Sequence, residues 1–476
     1  MWRLATLGLL LLGLPRARAA DDYRPIVLKF ADTLLAQGRD AYGPRVTPVW
    51  MSVLDTRHLT APADAKAVPA PKGIRESDRA VGGANLYHDV VTIKVFDALT
   101  ELTGDARYRR AVDDYLRFYL SAARHPRTGL LAWGEHLYYQ AYEDRVERRW
   151  HELLGWTPPW ERLFEIDPRA AERAIAGIYQ WHFFDQEKFL FNRHADYLGE
   201  QLPDPGKSQP WIKHSGLYAY SFAVAHAKTR NRRYLDWARG IGSLYWNARN
   251  PATNLTESCL GDPRPTSRLA SPGGAGMLAY WLYKAGELLP PDSGLRDRAL
   301  ILMKAFDRYG YDASAGGYLN AVRTDGTRPG PGARVANVWD FAYGGEGAVI
   351  QFGRAAAYLA ARSGDAEMTA IARRAARMVI SAPRPAEGDI GTLGDALNLT
   401  LDLHDLTGET VYLKQARAFA REVVEKFWRG GLFRSHTGYE YYEANLGVGD
   451  AVQGLLRLSL KDRPPPKGTP RFDWSR

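Results

Sequence analysis

Residues 102–108 read Leu102-Thr-Gly-Asp-Ala-Arg-Tyr108, and residues 406–412 read Leu406-Thr-Gly-Glu-Thr-Val-Tyr412. Ser363-Gly-Asp-Ala-Glu is a third copy, and Thr229-Arg-Asn-Arg-Arg-Tyr234 a looser fourth with Asn231 near the glycine position. Each copy joins two stretches that carry apolar residues at helical spacing. Glycine or asparagine stops the first helix, and in three of the four copies an acidic residue favours the start of the second.

Outward from these turns, the spacing predicts helices over 111–122, 171–179, 295–306, 355–361, 370–380 and 416–427. Strand-like alternation is scarce. Recurrent helical hairpins along 476 residues predict an all-α fold, an (α/α) toroid of six to seven hairpins. A tetratricopeptide-like array is the competing reading. The long aromatic connections at 129–137 and 431–446 argue against it. Solenoids keep such links short, whereas a toroid uses them to wall a cleft at one end.

The first twenty residues predict a secretory leader. Arg3 makes a basic start, residues 4–14 form an apolar run with seven leucines, and Pro15 breaks it. Ala17-Arg18-Ala19 then supplies a small-x-small cleavage pattern. The run is too short to span a bilayer. The expectation is a periplasmic or secreted monomer, with residues 21–476 forming one catalytic toroid and no membrane contact after cleavage. A single cysteine, Cys259, excludes an internal disulfide and reads as a small buried residue. The formal charge is +9, three of it from leader arginines, so the mature surface favours acidic partners. Nucleic acid is not expected, because no concentrated Lys/Arg tract is present. Abundant Trp and Tyr point toward carbohydrate.

The densest polar run is Trp133-Gly-Glu-His-Leu-Tyr-Tyr-Gln-Ala-Tyr-Glu-Asp-Arg145, followed by His151-Glu152. Phe191-Asn-Arg-His-Ala-Asp196 and Trp211-Ile-Lys-His-Ser-Gly-Leu-Tyr-Ala-Tyr220 follow. They place His136, His151, His194 and His214, four of the eleven histidines, close together in sequence, with Glu135, Glu143 and Glu152 among them. Imidazole with carboxylate suits Mn, Zn or Ni. The spacing is not a compact HExxH, and each histidine is read equally well as a core or rim residue. No GxSxG elbow or phosphate loop is present. Acids for glycoside hydrolysis are available in Glu143, Asp144, Asp340 and Glu346. Near the C-terminus, Arg434-Ser-His-Thr-Gly-Tyr-Glu-Tyr-Tyr-Glu443 reads as a sugar-contacting wall, with Trp339 and Tyr343 at the same mouth.

Residues 130–136, Tyr142-Glu-Asp144, His151-Glu152 and Asn192-Arg193-His194 together resemble the metal-dependent pectate lyases of polysaccharide lyase family 2. The resemblance implies an (α/α) barrel of seven hairpins. It implies a divalent transition metal (Mn, Ni or similar) held by two histidines and a glutamate. His194 and Glu152 match two of these ligands, and His136 the third, with His151 as its alternative. Arg193, directly before His194, matches the family's proposed base. The implied activity is β-elimination on pectate or another polyuronate, an acidic oligo- or polysaccharide. Arginine stays protonated in proteins, so Lys213, Tyr138 or Tyr139 is the alternative base, with Arg193 clamping the carboxylate. The expected site is thus Arg193 and Lys213 for catalysis and His136, Glu152 and His194 for the metal. Trp133, Tyr138, Tyr139, Arg145, His214, Trp339, Arg434, Tyr439 and Tyr442 are expected against substrate. The competing classes are a toroid glycoside hydrolase acting on uronic-acid-containing oligosaccharides and a non-catalytic helical carbohydrate-binding protein.

Overall fold

The computed structural model describes residues 22–71, 74–207, 210–262, 264–330, 333–340, 348–462 and 464. The leader, Tyr343 and Glu346 lie outside these residues.

Fourteen α-helices occur among the described residues. They are α1 (Arg24–Gln37), α2 (Leu86–Thr103), α3 (Ala106–Ser121), α4 (Trp160–Ile166), α5 (Pro168–His182), α6 (Ile212–Thr229) and α7 (Arg232–Ala248). Then come α8 (Pro272–Leu288), α9 (Leu295–Gly310), α10 (Ala348–Ser363), α11 (Ala366–Ser381), α12 (Ile390–Thr407), α13 (Thr410–Phe427) and α14 (Val448–Asp462). Five of the six stretches predicted from periodicity fall within α5, α9, α10, α11 and α13, and the sixth, 111–122, overruns the end of α3 by one residue.

Burial sorts the helices into two layers. On α6 every residue from His214 to Ala225 is buried, so this helix is enclosed all round. On α7 only Tyr234, Ala238, Ile241, Gly242 and Tyr245 are buried, a single stripe at helical spacing. Helices α6, α8, α10, α12, α14 and α2 pack side by side in that order, and short α4 bridges α3 and α6. Each inner helix pairs with the outer helix that follows it: α2 with α3, α4 with α5, and so on to α12 with α13. The last inner helix, α14, takes α1 from the other end of the chain. The result is an (α/α) toroid of seven hairpins. No helix among the described residues is long and apolar enough to cross a membrane.

The repeated turns have one construction. Thr103 Oγ1 donates to Leu99 O at 2.7 Å and accepts from Asp105 N at 3.1 Å. Thr229, Ser363 and Thr407 make the same two bonds, accepting from residues 231, 365 and 409. Between them the chain turns left-handed at Gly104 (φ 73°), Gly364 (φ 73°) and Gly408 (φ 71°). In the fourth copy the left-handed residue is Arg230 (φ 58°). Asn231 caps α7 through a bond from Arg233 N at 3.1 Å, so it stands at the aspartate position, one residue after the glycine position.

Ring closure joins the two chain ends. Val53–Asp55 pairs antiparallel with Tyr441–Glu443. Tyr23 N donates to Ser459 Oγ at 2.9 Å. Arg79, before α2, forks onto Glu443 through Nε at 3.0 Å and Nη2 at 3.1 Å, with both side chains buried. Short strands lie in the connections: Leu137–Gln140 pairs with Arg145–Arg148, and Trp150–His151 with Ala195–Asp196. That second pair and the start of α6 carry the polar cluster described next.

Candidate metal and active site

Glu152 follows the strand Trp150–His151 and is wholly buried. Its backbone N donates to Trp133 O at 3.3 Å. This approach needs Gly134, at φ +103°, because a Cβ there would lie 2.6 Å from Glu152 O. Asn85, the cap of α2, donates to Gly134 O at 2.8 Å and ties the turn to the barrel. His136 thereby comes to the same place as Glu152.

On the other side, His194 precedes the strand Ala195–Asp196, and its Nε2 lies 2.9 Å from Glu152 Oε2. His214, in the first turn of α6, places Nε2 3.0 Å from Glu152 Oε1. Burial alone would raise the Glu152 carboxyl. The bonds from His194 and His214 outweigh it and hold Glu152 well below the ordinary carboxylate range. Burial lowers His136 and takes His214 down to about 4, so both are neutral near pH 7. The donor atoms of His136, Glu152 and His194 all lie within 4.8 Å of one another. Two imidazoles and an ionised carboxylate are a donor set that fits a divalent transition ion.

His151 does not join this group. Its Nδ1 is 2.8 Å from Nε2 of buried His182, whose Nδ1 is 2.8 Å from Asn192 O. The neutral tautomer that satisfies both has His182 donating to the Asn192 carbonyl and accepting from His151. The His182 ring thus bridges the segment of Glu152 to the segment of Arg193 and His194.

Two cations border the cluster. Arg193 Nε lies 3.8 Å from Glu152 Oε1, and its Cζ sits 4.7 Å from the ring centre of Trp211. Lys213 Nζ sits 5.1 Å from the same ring. Burial, reinforced by the neighbouring Arg193 and Arg75 charges, lowers the Lys213 ammonium to about 8 against the pull of Glu152 and Glu135. A second acidic group adjoins. Asp78, Glu135 and His136 also bring donor atoms within 4.8 Å, with Arg75 Nε 2.6 Å from Asp78 and Arg75 Nη2 3.2 Å from Glu135. Asp78 and Arg75 went unread in the sequence, and Trp211 opened the third polar run without a role of its own. The first two sit in an irregular segment without periodicity, and Trp211 looked like one aromatic among many.

The expected substrate contacts fare differently. Trp133 is wholly buried, its ring edge-on to Tyr87 at 5.5 Å, so it packs the core instead of facing sugar. Tyr442 is likewise buried, against Phe30. Buried Tyr439 donates to Glu443 at 2.9 Å and accepts from Arg79 at 2.8 Å, which makes it part of ring closure. Buried Tyr139 donates to Asp144 at 2.9 Å. Tyr138, also buried, lies under the Arg148 guanidinium at 5.2 Å. Burial pushes both phenols up, and Tyr139 is already committed to Asp144. His214 stands behind Glu152 with no exposed surface. Arg145 pairs with Glu143 and Glu147 along its own hairpin. Arg434 pairs with Glu440 at 2.6 Å. Trp339 packs beside Phe419 with Arg384 over its face at 4.5 Å. For a hydrolytic acid pair, Glu143 is tied to Arg145 and Asp144 to Tyr139, and Asp340 is exposed. Cys259 is a free, buried thiol pushed up to about 12 by burial, in keeping with a small core residue.

Two solved structures share the toroid. A sugar epimerase from a ruminal bacterium superposes with a TM-score of 0.51 at 9% identity, covering 92% of this chain and 99% of that one. Cellobiose 2-epimerase from Bacillus thermoamylovorans B4167 gives 0.50 at 10% identity, with 92% and 99% covered. At such identity the likeness is one of fold. In sequence, pectate disaccharide-lyase of Dickeya dadantii (strain 3937) is 21% identical over 187 residues, 34% of this chain and 34% of that protein. The chain thus matches about a third of that curated relative's length. The model of the periplasmic pectate lyase family matches residues 75–264, which contain His136, Glu152, Arg193, His194 and Lys213. Over the segment that builds its polar cluster, the chain therefore resembles the metal-dependent pectate lyases of polysaccharide lyase family 2.

Proposed function

We propose that the protein is a periplasmic or secreted, metal-dependent lyase that cleaves pectate or a related polyuronate by β-elimination. The observation that carries this reading is the convergence of His136, Glu152 and His194 donors within 4.8 Å, bordered by Arg193 and Lys213. His136, Glu152 and His194 would hold the ion. When bound, a divalent ion supplies Lewis-acid stabilisation of the charge that develops on the uronate carboxylate. Arg193 presents a planar fork suited to that carboxylate, and its stacking on Trp211 fixes the plane. Lys213, lowered to about 8, is neutral in a useful fraction near neutral pH and takes the C5 proton at Nζ. The electrons of the C5–H bond become the C4=C5 double bond, and the C4–O bond breaks. The departing oxygen takes a proton from water.

The test is direct. Protein supplied with Mn2+ or Ni2+ is given polygalacturonate and a panel of other polyuronates. The expected result is a rise in near-ultraviolet absorbance from unsaturated products, lost on chelation. New reducing ends without that absorbance would make the protein a hydrolase, and binding without turnover a carbohydrate-binding protein.

A further inference from the structure

A cavity of about 400 Å³ lies between α8, α10 and α12, inside the ring, with Gly155 also in its lining. It is not the metal cluster. Its wall residue Trp281 packs on Tyr220 of α6, with ring centres 5.1 Å apart. Tyr220 is two turns past Lys213, about 10 Å further along the barrel axis at 1.5 Å per residue. The mouth faces the opposite end, where the side chains of Arg362 and Asp405 are exposed near the C-terminal ends of α10 and α12.

The lining combines aromatic faces with charged groups that are already held in ion pairs. Buried Tyr280 and Trp281 and the half-buried Tyr358 supply the rings. Buried Arg354 binds Asp395 at 2.7 Å and Asp402 at 3.4 Å. Asp402 also meets Arg457 at 2.8 Å, and Asp405 meets Arg457 at 3.3 Å. Arg362 lies 3.6 Å from Glu287. A charged guest would therefore compete with these pairs. A neutral polyol needs no such exchange. Its ring faces suit the aromatic walls, and its hydroxyls suit the remaining lone pairs and N–H groups of the fixed carboxylates and guanidinium. The volume sits at the small end of the range for small-molecule sites, about 300–1,000 Å³, which limits the guest to one or two sugar rings.

We infer that this axial cavity is a second saccharide site, specific for a neutral mono- or disaccharide and separate from the metal cluster. The inference rests on the cavity's lining and not on the lyase reading. It is tested by calorimetry on full-length Glu152→Gln protein with chelator, which silences the metal cluster. Glucose, galactose, cellobiose, mannobiose and digalacturonate are the probes. The expected result is one-to-one binding of at least one neutral sugar, more tightly than digalacturonate. Ala361→Trp at the mouth and Gln351→Trp at the other end of the lining should each weaken it at least tenfold. Ala361→Trp in the otherwise native chain should leave polyuronate turnover within twofold, so the two sites fail or succeed separately. No neutral sugar bound at millimolar concentration, tighter binding of digalacturonate, or binding unmoved by both tryptophans would each overturn the inference.

Discussion

His214 Nε2 lies 3.0 Å from Oε1 of Glu152, and neither side chain is exposed to solvent. The bond occupies one carboxylate oxygen and leaves Oε2 facing His194. His214 is thus a positioning residue for the cluster. Replacing it with Ala should lower metal affinity by about 10–100-fold, the usual cost of losing such a support. Activity should return at high metal concentration. Metal titration by calorimetry and metal-dependent rates check this. Unchanged affinity would mean that Glu152 needs no orienting partner.

Removing the ligands themselves should act differently. Glu152→Gln and His194→Ala should abolish metal-dependent activity at any practical metal concentration, with the helical circular dichroism retained. If His194 is only a packing residue, its loss instead lowers stability by roughly 1–3 kcal/mol and leaves bound metal unchanged. Metal content by elemental analysis separates the two outcomes.

The Lys213 ammonium, lowered to about 8, must lose its proton to act as base. The rate should therefore rise with pH and level off above about 8. A bound cation beside it moves the midpoint lower still. Lys213→Met should remove this rising limb and at least about a hundredfold of rate, the lower bound for a positioned general base. Arg193→Lys should instead raise KM more than it changes the pH profile, because the charge remains and the fork is lost.

His182 gives a stability prediction. Burial lowers it to about 3, below the 6.5 of an unfolded histidine. Between those values the unfolded chain holds a proton that the folded chain refuses. The stability advantage of the native protein over His182→Gln should therefore be full above pH 6.5 and shrink as pH falls toward 3. The slope is at most about 1.4 kcal/mol per pH unit. Denaturant melts of both proteins at a series of pH values read it.

Much of the architecture was legible because helical hairpins write their signature locally. The Leu102–Tyr108 pattern and its copies contain the stop, the turn and the next start within seven residues. The offset at Thr229 arose because Arg230 adopts a conformation expected of glycine, which residue type alone does not disclose. The pairing of α1 with α14 was not legible at all, since it joins residues more than four hundred positions apart. In the site, the density of polar groups marked the three segments, and the resemblance to the pectate lyases picked His136, Glu152, Arg193 and His194 out of them, with Lys213 as the alternative base. The aromatic wall did not survive. Trp133 and Tyr442 are the same residue types whether they face a sugar or a core, and only the packing decides.

Arg79 and Glu443 each show 1% of their side chain. Arg79→Met would strand a buried carboxylate beside Tyr439 and should cost about 3–5 kcal/mol. Glu443→Gln in the same background, which removes that charge, should recover part of the loss. Chemical denaturation of the single and double variants measures both steps.

The pairing of the first outer helix with the last inner one also sets the order in which the molecule can be finished. A chain delivered N-terminus first, from a ribosome or through a pore, must hold the apolar stripe of α1 without its native cover until Val448–Asp462 arrives. Truncation within that last helix therefore removes more than one helix. It leaves the ring unsealed and removes the partner helix of α1, whose buried stripe includes Val27, Phe30 and Leu34.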